Sequence, residues 1–260
     1  MMSLKNSILI VVAGVSIVSC KENGTIILPD FELVEFVSGF DYLPTNTTGA
    51  VYKHETYILS YSEEYEQAEW VAYILKASDI KNVDYKRPYF EMDKDVITKS
   101  ADWRNYKKSG YNKGHLCPAG DRRASLKDYE STFLTSNISP QKYDFNAGIW
   151  NRLEQKVRYW AKKQDSIYVI TGGVLTDNLE TIAYENVAVP KYFYKILLSK
   201  DCNKMIGFLV PHEKSEQPLY SFITSVDRIE ELTGIDFFPA LEDDIENKLE
   251  SKIEYKNWEF

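Results

Sequence analysis

A chain of 260 residues suits one domain, or one domain and a tail. Its apolar (44%) and charged (27%) fractions are those of an ordinary globular protein, and 19 Tyr with 12 Phe favour strands around a substantial core. A formal net charge of -8 argues against a general nucleic-acid coat protein, yet it leaves room for a local basic groove, because fields act over a Debye length of about 8–10 Å.

The first residues fall outside the fold. Lys5 is a basic start, and Ile8 to Val18 is an apolar run too short to span a bilayer comfortably. It closes on Ile17-Val18-Ser19-Cys20. Small residues ahead of a Cys resemble the lipobox of bacterial lipoproteins. That resemblance implies a signal peptide over 1–19, acyl chains on Cys20, export, and a lipid anchor on the periplasmic face or the cell surface of a bacterial membrane. An ordinary secretory signal with an incidental Cys is the alternative. Lys21-Glu22 looks like the charged signals some bacterial groups use for surface export. Residues 20–45 then read as a tether and 46–260 as one domain. Export permits a disulfide between Cys117 and Cys202, and the sequence leaves open whether they meet. No CxxC or Cys/His cluster occurs, so no structural zinc site is expected.

Thr56 to Ser62 alternates into a strand, and Ala68 to Ala77 is a second apolar run that suits either a helix or a strand, with a strand paired to the first as a hairpin the favoured reading. Residues 80–110 are polar and read as loops. Thr132 to Ser136 reads as a short strand. Asn146 to Lys163 is the clearest helix, with Ile149, Trp150, Leu153, Val157 and Trp160 at helical spacing. Strands follow at Ser166 to Leu175, Lys191 to Ser199 and Lys204 to Val210, the last two joined as a hairpin. Ser225 is a plausible N-cap for a helix that stops at Gly234, and an acidic helix runs on to about Lys252. Runs of strands with helices between hairpins indicate an α+β fold with a largely antiparallel sheet.

Two stretches carry chemistry. In Gly110-Tyr111-Asn112-Lys113-Gly114-His115-Leu116-Cys117-Pro118-Ala119-Gly120-Asp121-Arg122, Gly114 frees the backbone and Pro118 forces a turn. A positioned His can take a proton from water near neutral pH. Lys107, Lys108, Lys113, Arg122 and Arg123 make the surroundings cationic. Alone, this is a loop histidine. The second stretch is Ser136-Asn137-Ile138-Ser139-Pro140-Gln141, then Phe145-Asn146-Ala147-Gly148-Ile149-Trp150-Asn151-Arg152-Leu153-Glu154. The Asn146 amide oxygen suits a hard cation that keeps most of its waters, as magnesium does. An N-cap is the plainer reading of Asn146. Glu154 lies two turns on, about 12 Å along a straight helix.

Together the two stretches resemble the DNA/RNA non-specific endonucleases of the ββα-metal, or His-Me finger, class, which includes endonuclease G. The family pattern is Asp-Arg-Gly-His, then Asn-(Met/Ile)-(Ser/Thr)-Pro-Gln, then Asn before a Trp-x-x-Leu-Glu helix. Here these are Asn112-Lys113-Gly114-His115, Asn137 to Gln141, and Asn146 with Trp150 to Glu154. The resemblance implies magnesium, manganese or another divalent cation on Asn146, His115 as general base, Glu154 just behind the metal's own ligands, and Asn137 as a supporting active-site residue. It implies Arg87 as the phosphate-binding catalytic arginine, with Arg104 as rival, and Lys113, Arg122 and Arg104 as substrate contacts. DNA and RNA are the implied substrates, and a homodimer is left open. Asn112-Lys113 departs from the family's Asp-Arg: Asn carries no charge, and Lys loses the bidentate fork. That departure motivates a second expectation, an exported lipoprotein that keeps the fold and binds nucleic acid or a partner without cleaving.

Overall fold

The structure, a computed structural model, describes residues 40–260. The apolar leader, Cys20 and most of the tether lie outside the described residues. Strands are β1 (Ala50–Lys53), β2 (Ile58–Ser62), β3 (Gln67–Lys76), β4 (Asn112–His115), β5 (Ile138–Gln141), β6 (Ser166–Gly173), β7 (Glu180–Ile182), β8 (Val187–Val189), β9 (Tyr192–Ser199), β10 (Met205–Pro211) and β11 (Ile223–Thr224). Helices are α1 (Leu126–Ser131), α2 (Asn151–Gln164), α3 (Val226–Thr233) and α4 (Asp243–Glu250). Seven strands form one antiparallel sheet in the order β1-β2-β3-β6-β9-β10-β11, and β4-β5 and β7-β8 make two small hairpin sheets. The architecture is α+β with a large antiparallel sheet, as the pattern of strand runs predicts.

Strand alternation gives the large sheet two apolar faces, and both are covered. Val71, Tyr73 and Leu75 of β3, Ile167 and Val169 of β6, Phe193 and Leu197 of β9, and Phe208 of β10 form one core with Leu153, Val157 and Trp160 of α2. The opposite side carries Trp70, Ala72, Ile170 and Ile196, all fully buried. There Tyr42 packs on Tyr168 at 5.2 Å and Phe237 on Tyr194 at 5.5 Å. Tyr42 is buried and Thr45 pairs with Asp236, so residues 40–45, assigned by sequence to the tether, lie on the body.

The chain enters the sheet through a clasp on Glu69 of β3. Its carboxylate accepts from Thr47 Oγ1, Thr48 Oγ1, Ser60 Oγ and the Gly49 N–H. Burial works against its ionisation, yet these bonds together hold its pKa below the usual carboxylate value. At the far end, Ser225 Oγ accepts from Arg228 N at 3.2 Å and Gly234 closes α3 at φ +71°, the cap and stop expected from sequence.

Two sequence expectations are corrected. Thr132 to Ser136 is not a strand: its residues turn, with a 3-10 segment over Thr135–Asn137, because their backbone bonds go to neighbours three residues away and to Glu91. The helix expected from Asn146 begins instead as a π turn over Phe145–Trp150, since Gly148 adopts φ -96° and ψ -108°. The question the sequence leaves open is answered as well: Cys117 and Cys202 are both free, and Cys117 is enclosed in the core, where burial pushes its thiol up to about 12.

Candidate active site

The β4-β5 hairpin is the frame. Its register sets Asn112 opposite Gln141, Lys113 opposite Pro140, Gly114 opposite Ser139 and His115 opposite Ile138. A Cβ on Gly114 would fall 2.1 Å from the Gln141 side chain, so this position requires glycine for close approach. Ser139 Oγ donates to Gln67 Oε1 at 2.6 Å, which ties the hairpin to β3. Immediately past His115, Asn137 grips the chain. Its Oδ1 accepts from Cys117 N at 2.8 Å, and its Nδ2 donates to the Cys117 and Thr132 carbonyls at 3.0 and 2.9 Å. Asn137 is fully buried and its amide is spent on backbone. It therefore positions the loop behind His115, with its amide already bonded to backbone.

The His115 ring lies between two aromatic rings, 5.3 Å from Phe90 and edge-on to Phe133 at 4.9 Å. Its Nε2 is enclosed without a partner, and Nδ1 makes no hydrogen bond and is not enclosed. Burial, with the Arg87 charge beside it, holds the ring pKa down to about 3, so the imidazole is neutral at physiological pH. Arg87 lies 5.6 Å over both Phe90 and Phe133, and the Lys113 ammonium lies 5.4 Å over Phe90. Burial and Arg87 lower the Lys113 pKa. The structure thus brings Arg87, Lys113 and His115 around one pair of aromatic rings. Arg104 is exposed, bonded to Asp102 at 2.6 Å and stacked on Trp103, in the 3-10 turn that also supplies Tyr106 to Lys113.

Arg122 is not a substrate contact. It is buried, its guanidinium donates to the Ile74 carbonyl at 3.2 Å, and it lies 4.6 Å over the Tyr73 ring. The cationic patch read from the sequence therefore loses this member to the core.

After β5 the chain turns into α2. The Asn146 N–H donates to Lys142 O, and its carbonyl accepts from Asn151 N. Its side chain caps nothing and makes no hydrogen bond. Glu154 is partly exposed on the first turn of α2. Burial pushes its pKa up to about 7, against the opposing pull of Lys195 and Arg158. Beneath it, Asp121 accepts from Arg158 Nη1 at 2.8 Å and from the Tyr73 hydroxyl at 2.9 Å.

The unpartnered Asn146 amide oxygen is a hard donor that fits a hydrated magnesium ion, and Glu154, two turns on, is a carboxylate near its ionisation point that could reach such an ion through its waters. A different set, His54 with Asp93 and Asp95, could also hold an ion: Nε2 and Nδ1 of His54 lie 2.9 and 3.7 Å from the two carboxylates. Ser136 Oγ already donates to Asp93 at 2.5 Å.

Residues 41–244 match the DNA/RNA non-specific endonuclease family. The chain belongs to that family. Among its relatives, mitochondrial nuclease EXOG of Danio rerio is 33% identical over 208 residues, covering 73% of this chain and 61% of that one. Nuclease C1 of Cunninghamella echinulata var. echinulata is 32% identical over 209 residues, covering 73% and 83%. A chain in the crystal structure of the EndoG/EndoGI complex superposes with a TM-score of 0.69 at 29% identity, covering 75% of this chain and 88% of that one. This endonuclease-family chain spans about three-fifths of the length of the EXOG relatives. Its β4-β5-α2 unit is the ββα element of a His-Me finger, as the motifs implied.

Sequence reasoning missed Lys195. It is fully buried on β9, its Nζ without a hydrogen-bond partner and 4.9 Å over the Trp150 ring. The signal was present: in the alternation of β9, position 195 shares a face with Phe193 and Leu197. Asp121 and Phe133 were also missed, because neither carries a pattern of its own.

Proposed function

We propose that the protein is a magnesium-dependent, sugar-non-specific endonuclease that hydrolyses phosphodiester bonds in DNA and RNA, with His115 as general base. The observation that carries this reading is the neutral His115 ring, with one nitrogen left for solvent and Arg87 and Lys113 beside it. Arg87 and Lys113 neutralise the scissile phosphate. Burial is the larger cause of the low His115 pKa and the Arg87 charge the smaller; a bound phosphate offsets the Arg87 part, so the affinity of His115 for a proton rises when substrate arrives. His115 Nδ1 then takes the proton of the attacking water, and Phe90 and Phe133 keep the ring aligned. Asn137 fixes the backbone that follows the ring. Asn146 and Glu154 would hold the magnesium ion, directly and through its waters. When bound, the ion supplies Lewis-acid stabilisation of the charge that develops on the phosphate and the leaving oxygen. Contacts of this kind go to the backbone of the nucleic acid and carry no base information, which accounts for low sequence specificity. The Cys20 lipobox adds an exported, lipid-anchored location to the proposal, testable by labelled palmitate, whose incorporation Cys20→Ala should abolish.

The test is cleavage of plasmid and RNA with magnesium and with EDTA, wild type beside His115→Ala. Loss of a general base typically costs 10²–10⁴-fold, so His115→Ala should fall by about that factor while nucleic-acid binding persists. Equal rates for the two proteins would remove His115 from the mechanism. No cleavage by wild type at any pH from 6 to 9 would leave a binding protein on a nuclease fold, the reading that Asn112-Lys113 favours.

A further inference from the structure

Helices α3 and α4 bring carboxylates together away from the β4-β5-α2 unit. Asp227 and Glu230 on α3 and Glu250 on α4 each offer one oxygen, and the three lie within 4.8 Å of one another. Glu250 is 5% exposed, and its Oε1 is enclosed with no hydrogen-bond partner. Glu246, one turn earlier on α4, has an enclosed and unpartnered Oε1 as well. Glu230 Oε1 accepts from Phe237 N at 2.8 Å, which orients that carboxylate and leaves its other oxygen. No positive side chain compensates: Arg228 is paired with Glu231 at 2.6 Å, and among the described residues no Lys or Arg forms an ion pair with Asp227, Glu230 or Glu250.

Three carboxylates at this separation cannot all carry charge without a counter-ion. An all-oxygen donor set excludes the softer metals and selects a hard cation. Calcium takes six to eight oxygens at about 2.3–2.6 Å, so oxygens on opposite sides of one ion lie about 5 Å apart. Three carboxylate oxygens that all lie within 4.8 Å of one another fall inside that span. Magnesium keeps several waters and is usually bound through one or two carboxylates, so a set of three carboxylates favours calcium. Asp227 is exposed and leaves the remaining positions to water. We propose that Asp227, Glu230 and Glu250 form a calcium site that ties α4 to α3.

The test uses the full chain in detergent, with calcium chloride as the probe. An Asn146→Ala background keeps ions at the candidate active site from contributing. Calorimetry should show calcium binding that Glu250→Gln removes and Asp227→Asn weakens about tenfold, as loss of one carboxylate ligand does. At calcium a hundredfold above its dissociation constant, Tm should rise by about 5 °C, and Glu250→Gln should cancel that rise. Glu250→Gln removes a like charge from a crowded site, so it should fold; if it does not, Asp227→Asn gives the same reading from a surface position. Calcium affinity unchanged in both variants, or no binding at millimolar calcium, overturns the proposal. So does a Glu250→Gln protein that is more stable than its parent while calcium leaves the parent unmoved, because a shared proton would then be what joins the carboxylates.

Discussion

Asn137→Ala separates a residue that positions from one that reacts. The substitution strands the Cys117 N–H, the Cys117 carbonyl and the Thr132 carbonyl, whose bonds to the amide are 2.8, 3.0 and 2.9 Å. Cys117 and Thr132 are both fully buried, so water cannot replace the amide freely. Each unsatisfied buried group costs about 1–3 kcal/mol, and partial relaxation brings the total to roughly 3–5 kcal/mol. In a body of this size each kcal/mol moves Tm by about 2–4 °C, so Tm should fall by roughly 10 °C. Thermal unfolding followed by circular dichroism measures it, with plasmid cleavage assayed well below the new Tm. Cleavage should also drop, because the grip on Cys117 sets where the chain leaves His115. A Tm within about 1 °C of wild type, with activity lost, would refute the reasoning and make Asn137 a group that touches substrate.

Arg122→Ala should lower Tm by several degrees and leave the salt dependence of DNA binding unchanged, whereas Arg87→Ala should reduce that slope by about one counter-ion; fluorescence titrations over a salt series distinguish them. Lys195→Met removes an unpaired buried ammonium, so Tm should hold or rise. The same change removes a charge that lowers the Glu154 pKa, so the rising limb of the pH–rate profile should move to higher pH. Acid should destabilise the fold through His115, held near 3, and His212, held near 4 by burial. The unfolded chain takes these protons near pH 6.5 and the folded one far lower, so their contribution is complete above pH 6.5 and is lost as pH falls. At pH 5 the loss is about 2 kcal/mol for each; urea midpoints equal at pH 7.5 and 5 would contradict it.

The sheet was legible because β2 and β9 alternate and β3, β6 and β10 lie in longer apolar runs, and α3 because Ser225 and Gly234 mark its ends. β4 and β5 have only four residues each, too few for a period to register. They were found through His115 and the Asn137 to Gln141 motif rather than as strands. β1, β7 and β8 escaped for the same reason, and β11 has two residues. Asn146 and Glu154 follow from motif spacing, but their surroundings do not. The Arg122 error shows why: charge type is written in the sequence, while the side of the sheet a loop arginine reaches depends on contacts such as Tyr73 and Ile74, 49 and 48 positions away. Lys195 is the converse, a charge in an apolar alternation that propensity alone treats as an exposed position.

The Glu69 clasp has a mechanical consequence. From residue 40 the chain meets the body at Tyr42 and Thr45 and is then fixed through Thr47, Thr48 and Gly49, which converge on that one carboxylate just before β1 begins its pairing with β2. A pull on the N-terminal end loads the Tyr42 and Thr45 contacts first, then this knot, and next peels the outermost strand of the large sheet. The β4-β5 hairpin belongs to a separate small sheet and is not in series with that load. The domain can therefore be held, stretched or immobilised by its leading end with the His115 frame left unstressed until the clasp itself gives way.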